Sequence, residues 1–166
     1  DHRDLHLSIR RQRQMCIRDS PRFHRISLRA DLEQKVRPAP LRQRDNEFFW
    51  DGAKKEELRI QECNTCKRLQ HPPVPMCPEC LTTEMGYQVV TGRGKVYSWV
   101  APRYPATPNF KDGFIVALIN LDEGVRIISN LCQVDLDSIY TNMKVELFFV
   151  NAEDGEKIPQ FRPLQP

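Results

Sequence analysis

The chain lacks any long hydrophobic run. Hydrophobic residues make up 40% of its 166 residues, but no run approaches the roughly 18 consecutive apolar residues that a membrane-spanning helix needs. The arginines near the N-terminus are not followed by the apolar segment of a secretory signal. We therefore expect a soluble protein, and a chain whose thiols bind metal or stay free is typical of the reducing cytoplasm.

The common sequence patterns of catalysis are also absent. The sequence contains no Gly-x-Ser-x-Gly elbow, no phosphate loop and no Gly-x-Gly-x-x-Gly turn. The run Gly92-Arg93-Gly94-Lys95 is too short for a dinucleotide fingerprint. Cys132 has no histidine that the sequence places as its base, so a buried, inert thiol is favoured over a nucleophile. These gaps argue against a stand-alone enzyme.

The body of the chain lacks a basic excess. Residues 1–30 hold eight arginines against three aspartates, whereas the remainder holds 17 basic and 19 acidic side chains, so the net charge of +3 arises in the N-terminal part. Domains that bind nucleic acid are usually basic themselves. Tyr97 and Trp99, two residues apart on a predicted strand, could share a face that stacks single-stranded nucleic acid, or that face could line a core.

Four of the six cysteines stand in two Cys-x-x-Cys pairs, Cys63/Cys66 and Cys77/Cys80, separated by ten residues. This spacing is typical of a zinc site, because each pair forms a turn that directs two sulfurs at one ion. Zinc favours a tetrahedral site of four sulfurs, and such a closed site is structural. Iron is the less favoured metal, and unrelated thiols or disulfides are the alternative without metal. His71 is close in sequence, but four sulfurs already complete the site.

Composition divides the chain into three predicted parts. Residues 1–44 are expected to be a disordered basic arm and linker. Within them, residues 1–22 resemble either a non-native extension or an arm for an anionic partner. Residues 45–86 predict a helix, capped by Asn46 and running to Glu57, followed by a zinc ribbon. Residues 87–166 are expected to form the third part.

In the third part, apolar and polar residues alternate along the chain as they do in the strands of a small antiparallel barrel. We expect about five strands, a short helical turn within residues 135–142, and a bulge or bend at Gly94. This pattern fits a five-stranded OB-type barrel, and a small open β-sandwich is the alternative. The expected strands are residues 87–90, 96–101, 114–121, 125–131 and 144–150.

Several motifs follow one another in a characteristic order: Phe49-Trp50-Asp51-Gly52, Leu58, Gln61, the two cysteine pairs, Pro72-Pro73, Gly92-x-Gly94-x-Val96, Glu123-Gly124-Val125-Arg126, Ser129-Asn130-Leu131 and Pro159-x-Phe161-Arg162-Pro163. Together they resemble one known family, the acyl-CoA-associated zinc-ribbon and OB-fold proteins first catalogued as a domain of unknown function. The resemblance covers residues 45–163 and departs from the family at Lys67 and Leu81, where glycine is usual, and at residues 74–76, where an arginine is usual.

The resemblance implies a helical segment, a rubredoxin-like ribbon and an OB barrel in a non-catalytic partner of thiolases, thiolase-like aldolases or hot-dog hydratases. It also implies that CoA thioesters are bound or channelled beside that enzyme. Arg93, Lys95 and Arg103 are then candidates for the phosphates, and Tyr104 for the adenine. The consecutive aromatic residues Phe48, Phe49 and Trp50 are candidates for docking a partner.

Overall fold

The structure, a computed structural model, describes residues 37–102 and 114–164. A helix, α1 (Glu47–Lys54), precedes eight strands, and a 3-10 turn at Leu136–Ser138 separates β6 from β7. The expected mainly β fold, with its N-terminal helix, is confirmed. Predictions for residues 1–36 lie outside the described residues. The strands are β1 (Leu58–Cys63), β2 (Leu69–Gln70), β3 (Met85–Val90), β4 (Arg93–Val100), β5 (Val116–Leu121), β6 (Arg126–Asn130), β7 (Lys144–Asn151) and β8 (Lys157–Pro163).

Helix α1 begins where it was predicted to begin, with Asn46 at the N-cap position, but it ends earlier than predicted. It stops three residues before Glu57, and Glu56 turns the chain into β1 with a φ of 63°. The side chain of Asn46 does not cap the helix: its Oδ1 accepts the Gln43 N–H at 2.7 Å, and its Nδ2 donates to the Leu41 carbonyl at 3.2 Å. The predicted N-cap position is thus confirmed, but the side-chain capping bond is not formed because the Asn46 side chain closes the preceding turn instead.

The first sheet belongs to the ribbon and has the antiparallel order β2-β1-β3. Strand β3 pairs along the whole of β1, from Val90 opposite Leu58 to Met85 opposite Cys63. The sequence predicts that residues 87–90 belong to the barrel part, and in the structure their hydrogen-bonded neighbour is β1. The division of the chain into parts 45–86 and 87–166 stays a prediction.

The second sheet has the antiparallel order β6-β5-β4-β7-β8 and curls into an OB-type half-barrel. Its two ends approach each other where Leu131 forms a parallel bridge with Phe161, and the Cys132 N–H donates to the Phe161 carbonyl at 2.8 Å. Five strands were expected, but the fifth is β8, which was not predicted because Pro159 and Pro163 argue against a strand. Proline is tolerated here because β8 is the last strand of the sheet.

Alternating apolar residues of the five barrel strands point inward and form the core. Phe161 of β8 is fully buried, and helix α1 contributes Phe49 to the same cluster. Within the described ranges, no helix has both the length and the apolar character that crossing a membrane demands. The inward residues are Val96, Ala117, Ile119, Leu121, Ile127, Val145 and Phe161.

The bulge in β4 lies at Tyr97 rather than at Gly94. The register with β5 shifts between Val96 and Ser98, which makes Tyr97 the extra residue. Gly94 has a different role, because it pairs with β5 on one side and β7 on the other. A Cβ at this position would lie 2.4 Å from the backbone oxygen of Asn120. The glycine therefore permits a close approach of two strands.

We expect Gly94→Ala to lower the free energy of unfolding by about 1–3 kcal/mol, because the added methyl group meets a backbone atom that cannot move alone. Urea unfolding of the metal-loaded protein, followed by circular dichroism, measures this change. Ser98→Ala, an exposed position on the same strand, is the control and should stay within about 0.5 kcal/mol. Equal stability of Gly94→Ala and the wild type would contradict the close approach.

Candidate metal centre and surrounding surfaces

The four paired cysteines meet at one point. Their Sγ atoms all lie within 4.8 Å of one another, with 3.5 Å between Cys63 and Cys80 and 3.6 Å between Cys66 and Cys77. Sulfurs bound tetrahedrally to zinc at about 2.3 Å are about 3.8 Å apart. The observed spacing fits that geometry, so these residues are clustered for metal binding.

Two similar turns carry the sulfurs. In the first, the Lys67 N–H donates to the Cys63 carbonyl at 2.9 Å; in the second, the Leu81 N–H donates to the Cys77 carbonyl at 3.0 Å. Lys67 and Leu81 both adopt left-handed backbone conformations, with φ of 61° and 59°. In the family that the motifs resemble, these two positions usually hold glycine. The turn geometry is kept here although each side chain costs about 1–2 kcal/mol in the left-handed conformation.

Backbone groups stabilise two of the four sulfurs as thiolates. N–H groups of Cys66 and then Thr65 lower the pKa of Cys63 to about 6, against the opposing effect of burial. The N–H of Cys80 has the same effect on Cys77, whose pKa is also lowered. Cys63 therefore offers a negatively charged ligand near neutral pH, and Cys77 loses its proton more readily than an ordinary thiol.

The second cysteine of each pair behaves in the opposite way. The Arg68 N–H lowers the pKa of Cys66, but burial and the three neighbouring thiols outweigh it and raise the pKa to about 12. The Thr82 N–H likewise fails to offset burial and neighbouring thiols at Cys80, whose pKa is raised. The thiols of Cys66 and Cys80 therefore keep their protons near neutral pH until a cation replaces them.

Gln61 fastens the loop between the two cysteine pairs to β1. Its buried side chain donates to the Val74 carbonyl at 2.9 Å and accepts the Val74 N–H at 2.9 Å. His71 lies outside the thiol cluster and packs against Phe49, with ring centroids 5.5 Å apart. Burial lowers the pKa of His71. It is a packing residue rather than a fifth ligand.

The three candidate docking aromatics have different environments. Phe49 is 7% exposed and belongs to the core, so little of its surface is open to a partner. Trp50 meets Phe49 edge to face at 5.0 Å and is half-buried. Phe48 stacks on Tyr87 of β3, with ring centroids 5.8 Å apart. Phe48 and Trp50 stay predicted docking residues.

The candidate phosphate ligands that the structure describes, Arg93 and Lys95, are both exposed on β4. Arg93 stands opposite Glu146, and Lys95 stands opposite Lys144. Lys144 is a cation that the sequence analysis missed, because pairing of β4 with β7 cannot be read from local sequence. Arg103 and Tyr104 lie outside the described residues.

The bulge separates the two aromatics proposed for nucleic-acid stacking. Trp99 stands opposite the fully buried Ala117 and packs against the core, whereas Tyr97 is exposed. The guanidinium of Arg126 covers the Tyr97 ring at 4.1 Å. The shared face predicted from their spacing is therefore wrong, since one extra residue reverses the alternation.

Cys132 is a half-buried thiol outside the metal cluster. Its Sγ donates to Oε1 of Gln160 at 3.1 Å, and burial raises its pKa. A raised pKa lowers the thiolate fraction, which makes the thiol a poor nucleophile. The preference for an inert thiol agrees with this environment.

Comparisons with known proteins match both parts of the fold. A family model described as the ChsH2 rubredoxin-like zinc ribbon domain matches residues 50–86, and one described as the ChsH2 C-terminal OB-fold domain matches residues 87–150. A DUF35 domain-containing scaffold protein of Methanothermobacter thermautotrophicus is 32% identical, over 60% of this chain and 77% of that protein. The chain belongs to the DUF35 family. This is the family expected from the sequence motifs.

Other relatives in the family are named as enzyme subunits. A probable enoyl-CoA hydratase alpha subunit of Thermomonospora curvata is 39% identical over 81% of this chain. The 3-oxo-4,17-pregnadiene-20-carboxyl-CoA hydratase alpha subunit of Mycobacterium tuberculosis is 36% identical over 75% of this chain. The chain spans 43% and 40% of the lengths of these two relatives.

Solved structures agree with the fold. A chain of the Ltp2-ChsH2(DUF35) aldolase superposes with a TM-score of 0.72 and 38% identity, covering 75% of this chain and 98% of that chain. A DUF35 protein of unknown function from Sulfolobus solfataricus has a TM-score of 0.52 and 13% identity, covering 73% and 86%. The second likeness concerns the fold alone.

We expect Leu81→Gly to raise the free energy of unfolding of the metal-loaded protein by about 1 kcal/mol, because glycine removes the left-handed penalty. The Leu81 side chain is 65% exposed, so little packing is lost. Leu41→Gly is the matched control: Leu41 is 75% exposed and has no positive φ. Urea unfolding should show no gain for the control, and a loss of stability in Leu81→Gly would contradict the backbone argument.

We also expect zinc affinity to rise with pH. The pKa values of Cys66 and Cys80 are raised, so each of these thiols must lose a proton on binding, whereas the lowered pKa values of Cys63 and Cys77 make their protons easier to lose. Binding should therefore release at least the two protons of Cys66 and Cys80 near pH 7.5, and more as the pH falls through the pKa of Cys63, about 6. Competition with a chromophoric chelator across pH 6–9, with proton release in weak buffer, measures this. A zinc affinity that does not change with pH would contradict this prediction.

Proposed function

We propose that this chain is a non-catalytic accessory subunit of an acyl-CoA enzyme of the thiolase-like, aldolase or hot-dog hydratase type. The observation that carries the proposal is its likeness to a chain of the Ltp2-ChsH2(DUF35) aldolase, 98% of which it covers. Two relatives are named as alpha subunits of hydratases that act on CoA thioesters, which also supports a function in acyl-CoA metabolism. We place the complex in the reducing cytoplasm, where free thiols stay available for metal.

The ion in the cluster is proposed to be zinc, with iron less favoured. The four sulfurs leave no position for a substrate, so the metal would act structurally rather than as a Lewis acid. Cys63 is the last residue of β1, and the metal would hold that strand against the loop that carries Cys77. A ribbon fixed in this way offers a rigid docking surface to the enzyme.

The barrel is proposed to receive or channel the CoA thioester beside that enzyme. Arg93 and Lys95 lie on the same face of β4 and point to solvent, where their charges can meet phosphates. Lys144 adds a third cation next to Lys95. Arg103 for phosphate and Tyr104 for adenine complete the proposed contacts.

The proposal is tested by co-purification of the chain with acyl-CoA enzymes encoded beside its gene, followed by a CoA-thioester binding assay. A stable complex that binds acyl-CoA more tightly than either protein alone supports the accessory function. A chain that stays alone and ignores CoA, while binding single-stranded DNA at low salt, would overturn it.

Removal of one metal ligand should abolish metal binding and docking together. We expect Cys77→Ser to lose zinc and enzyme binding, because the ribbon has too few buried apolar side chains to stay ordered without the ion. Cys132→Ser is the control, since that thiol lies outside the cluster. Zinc content by mass spectrometry and co-purification measure both effects. A Cys77→Ser variant that keeps the zinc and the enzyme contradicts the proposed role.

A further inference from the structure

Strand β3 forms an open edge of the ribbon sheet. The sheet order β2-β1-β3 leaves one side of β3 without a neighbouring strand among the described residues. The backbone N–H and C=O groups on that side are therefore available to another strand. We call this side of Met85–Val90 the ribbon edge.

The composition of the ribbon edge favours pairing. Its six residues, Met-Gly-Tyr-Gln-Val-Val, contain no charge and no proline. Natural edge strands usually carry lysine, proline or a bulge that prevents contact with other chains. No bulge occurs here, because β3 stays in register with β1 from Val90 to Met85. An edge without these protective features is suited to strand addition.

The face beside the ribbon edge offers a fixed aromatic anchor. Tyr87 stacks with the Phe48 ring and also contacts the Arg59 guanidinium, which is 4.6 Å from the Tyr87 ring centroid. Glu57 holds that guanidinium with two hydrogen bonds of 2.9 and 2.6 Å. Tyr87 is nevertheless 46% exposed, and Val89, two residues further on the same face, is 51% exposed. Rigid, partly exposed aromatics of this kind are typical of interface hot spots.

The size of the ribbon edge indicates what kind of partner covers it. Six residues span about 20 Å, and a strand is about 10 Å deep, so each side buries about 200 Å². A stable interface needs about 1,000 Å² in total. Two copies joined through this edge alone therefore bury too little surface. A stable complex therefore needs a partner that also covers the adjoining aromatic face of Phe48 and Tyr87, which a separate, larger protein can do.

We propose that the ribbon edge is the docking site for an extended, uncharged segment of the acyl-CoA enzyme, which adds as a fourth strand beside β3. This inference rests on the proposed function. Main-chain hydrogen bonds to Met85–Val90 give the contact its direction, and Tyr87 and Val89 supply apolar contact on one face.

Val89→Lys tests the inference, with Val100→Lys as its control. Val100 is 56% exposed on the outer face of β4. We expect Val89→Lys to weaken binding to the co-purified enzyme about tenfold or more, since a charge on an edge strand opposes pairing. Val100→Lys should bind like the wild type. Biolayer interferometry measures affinity, and zinc content verifies that each variant is folded.

Amide exchange separates strand addition from side-chain contact. In the complex, alternate amides of Met85–Val90 that point away from β1 should exchange more slowly than in the free chain. If the wild type binds the enzyme but Val89→Lys binds equally well, or these amides stay unprotected, the edge is not the docking site and the accessory function stands. If no acyl-CoA enzyme binds the wild type, both proposals fail. A wild-type dimer that Val89→Lys converts to monomer would assign the edge to a second copy.

Discussion

The ribbon depends on the meeting of four cysteine sulfurs. Between Cys63 and Cys80, the only buried residues are Cys63 and Cys77 themselves, and every other residue is at least partly exposed. Hydrophobic burial therefore contributes little to the order of this segment. The segment is held by the sulfur cluster, by the pairing of β2 with β1, and by the paired hydrogen bonds between Gln61 and Val74. Metal ligation can supply the missing free energy, because binding of the ion and folding of such a small segment are one process.

The ribbon is tied to the barrel at the corner between β3 and β4. Both the N–H and the hydroxyl of Thr91 donate to Oε1 of Glu123, each at 2.8 Å, and Glu123 lies in the turn between β5 and β6. Gly92 next to it has a φ of 70°, and a Cβ there would lie 2.5 Å from Cβ of Leu147. A glycine and a carboxylate therefore fix the direction in which the chain leaves one sheet and enters the other. The cysteine cluster lies at one end of β3, and these contacts join the other end of β3 to the barrel.

Sequence reasoning succeeded where the physical cause is local and failed where it is distant. The metal cluster was predictable because a Cys-x-x-Cys turn determines its own geometry, and Leu81 keeps that geometry without glycine. Strand β8 was missed because Pro159 is a poor strand former, yet pairing with β7 decides its conformation. The positions of Tyr97 and Trp99 were misjudged because a single bulged residue reverses which side chains point outward. The placement of Lys144 beside Lys95 depends on a strand pair separated by some fifty residues in the chain.

The metal and the ribbon edge are coupled through the backbone. Met85, the first residue of β3, stands opposite the ligand Cys63, and the Asn64 N–H donates to the Glu84 carbonyl at 3.0 Å. The strand that carries the proposed docking edge is therefore held at the end where the cysteine turn begins. If the turn loosens, Met85 loses its partner first, and the backbone groups of the edge no longer lie in one line for an added strand. A closed, structural metal site can in this way control association with an enzyme without contacting it.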